Sequence, residues 1–532
     1  MAARKVDRRS VIRDGIAGIA GASAIFGAPK VLAQAVRPTA GSRPNLILFM
    51  TDECRADALS SYGNPVCKTP NFDLLARQGT RFADCHVQYP VCGASRCSLL
   101  TGLPVANTGH RSLYYFIRPD EPNMLRYLKE SGYDTYLIGK NDALAEASFP
   151  LSLTNWLDFP WRGGGGNTPF DLDAPNTMLI DAKPDPRQTN DYRLLQSAIK
   201  ILERREQERP FCIFLAIGSP HPPYFAPQGF ADMYKPGDLP DLAPPGLAKK
   251  PEYQEIVRKA YHLDEVGDAV FRRVRATYYG QVSYADWLLG QLMEALERTG
   301  RTSDTVLVAS SDHGDYAGDY GMVEKWPGGL ESCLTRVPLV IRMPGGAQGH
   351  VVPEMTELFD IMPTFLDLGA VKPRQAIFAR SLLPQLGGAA GDPERAAFTE
   401  SGYDTFEPQA FEPRMKGPPN LYTAKHEVQN DFPQTVTRAA AITTPAYKLI
   451  ARPKGQSELY DRKKDPAELV NLIDDRRYAG TREALTRRLL DRYISTTGVP
   501  PIERDSREVP PDPPMPKFGN GASPSAAHPP QT

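Results

Sequence analysis

Cys92-Gly93-Ala94-Ser95-Arg96 gathers a thiol, a hydroxyl and a guanidinium into one short stretch behind Pro90. Pro90 and Gly93 bracket a turn, and Ser95 to Leu100 can start a helix that Gly102 ends. Cys92 then lies beside the positive end of that helix, with Arg96 about one turn further on. Backbone N–H groups and a guanidinium together welcome an oxyanion. A cysteine there is expected to be acidic and reactive. The plainer alternative is a buried cysteine in a helix–turn.

Other reactive types stand where apolar runs stop. Asn45–Met50 is a continuous apolar run closed by Thr51-Asp52-Glu53. It reads as a buried parallel strand with two carboxylates at its C-terminal end, an arrangement that suits a hard cation or a solvated turn. Asp52 and Glu53 as a general acid and base is a rival use of the same pair. Phe211–Ile217 is a second such strand, closed by Gly218-Ser219-Pro220-His221-Pro222-Pro223, so His221 is rigidly placed between prolines. Thr305–Ser310 is a third, followed by Ser311-Asp312-His313-Gly314. Its carboxylate and imidazole make a candidate metal pair, or else a capping Asp with an exposed His. Tyr133–Lys140 reads as a further strand ending in Gly139-Lys140, where a lone lysine is ordinarily solvated. Strand ends that converge would bring residues far apart in the chain to one place.

Helical spacing is evident over Pro122–Glu130, Tyr192–Arg204 and Ala276–Thr299, and Arg336–Ile341 reads as another strand. Asp158–Asp191 and Phe225–Tyr261 are rich in glycine or proline and read as loops over a site, where substrate selectivity would reside.

The chain has 532 residues, enough for a sizeable core and more than one domain. With 62 basic and 63 acidic residues its net charge is −1, and no polybasic block suggests a nucleic-acid partner. Residues 1–35 carry a basic start, a weakly apolar run and Ala33-Gln34-Ala35, which reads as a signal peptide; Arg8-Arg9-Ser10 resembles a twin-arginine signal. Export to the periplasm or beyond is therefore expected, with no membrane span in the mature protein. Seven cysteines leave six beside Cys92, and their spacings match no zinc pattern. The proline-rich tail, 498–532, is expected to lack a packed core.

Cys92 to Gly102 resembles the sulfatase signature C-x-P/A-S-R-x-x-x-L-T-G, with Ala94 at the proline-or-alanine position. The resemblance extends over about residues 43–480, through Thr51–Asn64, Gly139-Lys140, Pro220–Pro223 and Ser311–Lys325. It implies an α/β fold with a large mixed, mainly parallel sheet flanked by helices over 43–386, and a smaller C-terminal α+β subdomain over 387–497. It implies that a maturation enzyme oxidises Cys92 to formylglycine (3-oxoalanine), whose hydrate is the nucleophile. One calcium ion would be held by Asp52, Asp312, His313, the modified residue 92 and Glu53, which stands where the family usually has Asp. Arg96, Lys140 and Lys325 would stabilise the sulfuryl oxygens, and His221 would protonate the departing alcohol of a small-molecule or carbohydrate sulfate ester. The family often continues G-K-W-H, but here Asn141-Asp142 follow Lys140, so the role of that histidine is unassigned and Asn141 or Asp142 are its candidate replacements. Two alternatives stand beside sulfate ester hydrolysis. One is a phosphonate or phosphate monoester hydrolase of the same superfamily; the other is a non-catalytic anion- or carbohydrate-binding protein, if Cys92 is never modified.

Overall fold

The computed structural model describes residues 43–158, 176–204, 208–414 and 421–499. The leader expected over 1–35, most of the tail and part of the 158–191 insertion fall outside them. Eight strands, β1 (Asn45–Asp52), β2 (Thr80–His86), β3 (Asp134–Gly139), β4 (Asn155–Asp158), β5 (Phe211–Pro220), β6 (Thr305–Ser311), β7 (Arg336–Arg342) and β8 (His350–Glu357), form one sheet in the order β4-β3-β5-β1-β6-β7-β2-β8. Only β7 among them runs against its neighbours. The sheet is mixed and mainly parallel, as the resemblance implies.

Apolar runs become central strands because both faces of a parallel sheet are covered by helices. Ile47 and Phe49 pack on one side with Leu288 and Leu292 of the helix Asp268–Arg298. Leu46, Leu48 and Met50 pack on the other with Leu99, Leu125 and Phe365. The alternation follows the two-residue period of a strand.

Three strands carry no such signal. β2 is interrupted by Arg81 and Asp84, while β4 and β8 are edges, one only four residues long and the other containing Pro353. The long helix begins at Asp268, eight residues before the expected start, and the expected loop over 225–261 contains a helix, Tyr253–Ala260.

A second sheet, order β12-β11-β10-β9, is antiparallel: β9 (Ala397–Ser401), β10 (Ala439–Thr443), β11 (Tyr447–Ala451) and β12 (Glu458–Asp461). The helix Ala479–Thr496 packs Leu485 and Leu489 against Leu449 and Leu459 of that sheet. All seven cysteines are buried free thiols. Among the described residues no helix is long and apolar enough to cross a membrane.

Register decides what the strand ends deliver. Thr51 lies opposite Ser311, Asp52 opposite Pro220, and Gly139 opposite Ala216, so the residues after β3, β5 and β6 emerge beside those ending β1. Gly139 has a positive φ of 103°, and a Cβ there would sit 2.0 Å from the Ala216 carbonyl oxygen. Only glycine lets the chain turn into Lys140 at that spacing. Gly139→Ala should destabilise the protein by more than about 1 kcal/mol in urea unfolding and should depress turnover by displacing Lys140. Unchanged stability and turnover would show that the backbone there yields at no cost.

Candidate active site

The site is built on the C-terminal ends of β3, β5, β1 and β6, four adjacent strands, with the helix Cys92–Thr101 aimed at them. Cys92 is the first residue of that helix, three residues before the expected start, and Gly102 ends it in the left-handed conformation at φ 68°. All nine residues expected from the sequence meet in one buried cluster: Asp52, Glu53, Cys92, Arg96, Lys140, His221, Asp312, His313 and Lys325.

Arg96 is completely buried. Its Nε donates to Asp312 Oδ2 at 2.8 Å, its Nη2 to Asp52 Oδ2 at 2.8 Å, and its Nη1 to the Lys140 carbonyl. The guanidinium therefore ties two carboxylates and the residue after β3 together. Ser95 Oγ donates to the Asp312 carbonyl at 2.6 Å, which ties the same helix turn to β6.

Around Cys92 Sγ lie His313 Nε2 at 3.1 Å, Lys140 Nζ at 3.4 Å and Asp52 Oδ1 at 3.5 Å. The Lys140 ammonium is also 2.6 Å from Asp52 Oδ2 and 3.3 Å from Asp142 Oδ2. On the other flank, Lys325 Nζ contacts Glu53 Oε1, is 2.9 Å from Glu324 Oε1, and lies 3.0 Å from His221 Nε2. His221 Nε2 is 3.0 Å from Glu53 Oε1.

Both histidines have a defined tautomer. His221 Nδ1 lies 2.5 Å from the Pro222 carbonyl and His313 Nδ1 lies 2.8 Å from the Gly314 carbonyl. A carbonyl only accepts, so Nδ1 carries the proton in each and the Nε2 lone pair faces the cluster when the ring is neutral.

Electrostatics divide the cluster. Burial pushes the Asp52 carboxyl up, but Lys140, His221, Arg96 and His313 outweigh it and hold Asp52 well below the usual carboxylate range. Glu53 goes the other way: burial, reinforced by Asp315, Glu324 and Asp52 against the pull of Lys325, raises it well above that range. Burial and the charges of Lys325 and Lys140 hold His221 well below the ordinary imidazole value, so it rests neutral.

Burial and the adjacent Asp52 carboxylate push the Cys92 thiol well above its ordinary value, against the acidic cysteine that the helix N-terminus and Arg96 predict. The local dipole loses because full burial and the Asp52 carboxylate outweigh the Lys140 and Lys325 ammoniums, and because Arg96 is engaged by carboxylates rather than by the sulfur. An unmodified Cys92 is accordingly a poor nucleophile.

The sequence pattern does not single out Asp315, Glu324, Tyr224 or Tyr278, which brace the site. Tyr278 OH donates to the Glu53 carbonyl at 2.7 Å, while Tyr224 OH donates to Asp315 Oδ1 at 2.7 Å and accepts from the Glu324 amide at 2.8 Å. Asp315 and Glu324 flank the expected His313 and Lys325 so closely that proximity in sequence is their only signal. Asn141 is engaged in its own turn, its side chain donating to the Leu144 carbonyl at 2.7 Å and accepting from the Leu144 amide at 3.0 Å.

The donors fit a metal ion. Asp52, Cys92, Asp312 and His313 each present a ligand atom within 4.8 Å of the others, as do Asp52, Glu53, Cys92 and His221. Glu53 Oε2 is buried with no hydrogen-bond donor, and the His313 Nε2 lone pair points inward.

A family model described as Sulfatase matches residues 44–371, and one described as N-sulphoglucosamine sulphohydrolase, C-terminal, matches residues 420–494. The chain belongs to the sulfatase family, within the alkaline phosphatase superfamily, and is a sulfuric ester hydrolase. It is 26% identical to an arylsulfatase of Clostridium perfringens over 82% of this chain and 91% of that protein. It is 29% identical to the multifunctional alkaline phosphatase superfamily protein PehA of Trinickia caryophylli, over 82% and 93% of the two chains. The crystal structure of a phosphonate monoester hydrolase of Agrobacterium radiobacter is similar at a TM-score of 0.71 and 25% identity, covering 85% of this chain and 96% of that one.

A chelator should lower the melting temperature of the purified protein, with recovery on adding back a divalent cation, and elemental analysis should find about one ion per chain. At a hundredfold excess over its dissociation constant such an ion adds about 2.7 kcal/mol. Asp312→Asn should abolish both effects; a wild-type protein indifferent to chelation and free of stoichiometric metal would remove the metal from the site.

Proposed function

We propose that the chain hydrolyses a sulfate monoester at position 92, after a maturation enzyme has converted Cys92 to formylglycine, with one divalent cation held by Asp52, Asp312, His313 and Glu53. The observation that carries this reading is the convergence of Lys140 Nζ, His313 Nε2 and Asp52 Oδ1 on Cys92 Sγ, at 3.4, 3.1 and 3.5 Å. A hydrated aldehyde at that position supplies the nucleophilic oxygen that the raised thiol lacks. A cation in this donor set supplies Lewis acidity toward the sulfuryl oxygens. Calcium comes with the family resemblance; the carboxylates suit it, and His313 adds a nitrogen donor of the kind transition ions prefer.

The remaining work falls to the chain's own charges. Lys140 stands over Cys92 with Asp52 and Asp142 on either side, where its ammonium can take up charge on a sulfuryl oxygen. Arg96 acts through Asp52 and Asp312, which it orients. Lys325 reaches both Glu53 and His221, so it can bridge the sulfate and the leaving oxygen. His221 rests neutral because two ammoniums and burial disfavour its charge. An anionic substrate arriving beside those ammoniums offsets them, restores basicity to Nε2 and equips it to hold the proton that the departing alkoxide needs.

The intact mass of the Cys92 peptide from the native host should be about 18 Da below the cysteine form, as for a thiol converted to an aldehyde. Unmodified cysteine in active protein would overturn the formylglycine mechanism. Unmodified and inactive protein would favour the anion-binding alternative.

Three observations favour a phosphonate or phosphate monoester hydrolase as the second reading. No histidine follows Lys140, Asn141 is engaged in its own turn, and the hydrolase of Agrobacterium radiobacter is among the similar solved structures. With matched phenyl sulfate and phenyl phosphonate esters, kcat/KM should be at least about tenfold higher for the sulfate, a difference of about 1.4 kcal/mol in transition-state stabilisation. The reverse order would make the chain a phosphonate ester hydrolase.

A further inference from the structure

The helix Thr423–Asp431 belongs to the C-terminal part of the chain, far in sequence from every strand-end residue described above. Its N-terminal end nevertheless reaches the segments that carry Lys325 and His221. Lys425 is buried at 2% exposure, and its Nζ lies 2.8 Å from Glu324 Oε1. That same oxygen is 2.9 Å from Lys325 Nζ. Glu324 holds a left-handed backbone at φ 60°, unusual for a non-glycine residue, with its amide donating to Tyr224 OH. One carboxylate oxygen is thus clasped between two ammoniums. The second contact is made by Tyr422, whose hydroxyl donates to the Pro222 carbonyl at 3.2 Å. This is the carbonyl that receives the His221 Nδ1 proton. On the outer side the helix is anchored by Glu412, 2.9 Å from His426 Nε2.

We propose that Tyr422 and Lys425 are positioning residues for the leaving-group side of the reaction, Lys425 acting on Lys325 through Glu324 and Tyr422 acting on His221 through the Pro222 carbonyl. The inference rests on the roles given above to His221 and Lys325. A buried carboxylate paired with Lys325 alone would draw that ammonium away from Glu53 and His221 and cancel its charge. Lys425 supplies the second cation, so Lys325 keeps net charge to offer the substrate. Tyr422 adds a donor to the carbonyl that fixes the imidazole, which restrains the ring so that Nε2 faces the site. Neither side chain has to touch the ester. Both act where the alcohol departs, so their effect should scale with how badly that alcohol needs help to leave.

The test uses the full-length mature enzyme with para-nitrophenyl sulfate, whose leaving group needs little protonation, and phenyl sulfate, whose leaving group needs more. Lys425→Met should lower kcat for phenyl sulfate by about a hundredfold while costing para-nitrophenyl sulfate only a few fold, with KM little changed. Lys425→Arg should recover most of the loss. Tyr422→Phe removes one hydroxyl, keeps the packing, and should show the same selective loss on a smaller scale, so the proposal stays testable even if Lys425→Met fails to fold. His221→Ala, run in parallel, calibrates the leaving-group dependence. Equal losses on both substrates for Lys425→Met and Tyr422→Phe, beside a steep dependence for His221→Ala, would overturn the positioning role and leave the proposed function standing. A flat His221→Ala profile would remove the acid role and this inference with it.

Discussion

The site depends on one completely buried guanidinium held between two completely buried carboxylates. Arg96 joins Asp52 at the end of β1 to Asp312 at the end of β6 through bonds of 2.8 Å each. Removing three charges from water costs several kcal/mol per ion, and only close geometry with further hydrogen bonds repays it. The register of β1 against β6, the seating of the Cys92 helix and the Ser95 bond to the Asp312 carbonyl all serve that geometry. Losing the guanidinium would strip Asp312 of its arginine partner and leave Asp52 with the Lys140 ammonium alone.

From that pairing follows the charge pattern of the cluster. Arg96 and Lys140 lie against Asp52, which keeps its charge despite burial, whereas Glu53, buried and among like charges, rises. The Cys92 thiol inherits the Asp52 field together with full burial, and the thiolate is disfavoured. Burial and the same two ammoniums, Lys325 and Lys140, keep His221 neutral. Within the cluster the two lysines are paired with carboxylates, Lys140 with Asp52 and Asp142 and Lys325 with Glu53 and Glu324.

The scaffold supplies these residues from opposite directions. Four strand ends provide one wall, the helix N-terminus brings in Cys92, and the turn after β6 returns Lys325 to the centre. The C-terminal segment closes the far side through a single helix turn. The antiparallel sheet is tied to the main sheet by the Thr399 hydroxyl on the Val87 carbonyl at 2.7 Å and by Arg462 on Asp84 at 2.9 Å.

Much of this was legible in the chain because it is encoded locally. Asn45–Met50, Phe211–Ile217 and Thr305–Ser310 are apolar without interruption, so each had to be a strand covered on both faces, and the polar residues closing them had to emerge at its end. Cys92 to Gly102 carries a turn, a helix and a left-handed cap in eleven residues. β2, β4 and β8 were illegible because edge strands and polar alternation leave no apolar run to read. What only the tertiary structure decided is where long-range desolvation and proximity act: the raised Cys92 thiol, the engagement of Arg96 by carboxylates, the confinement of Asn141 to its own turn, and the arrival of Tyr422 and Lys425 at His221 and Lys325. A thiol's acidity and a lysine's partner depend on what is packed around them, and local spacing carries no record of which distant segments do the packing.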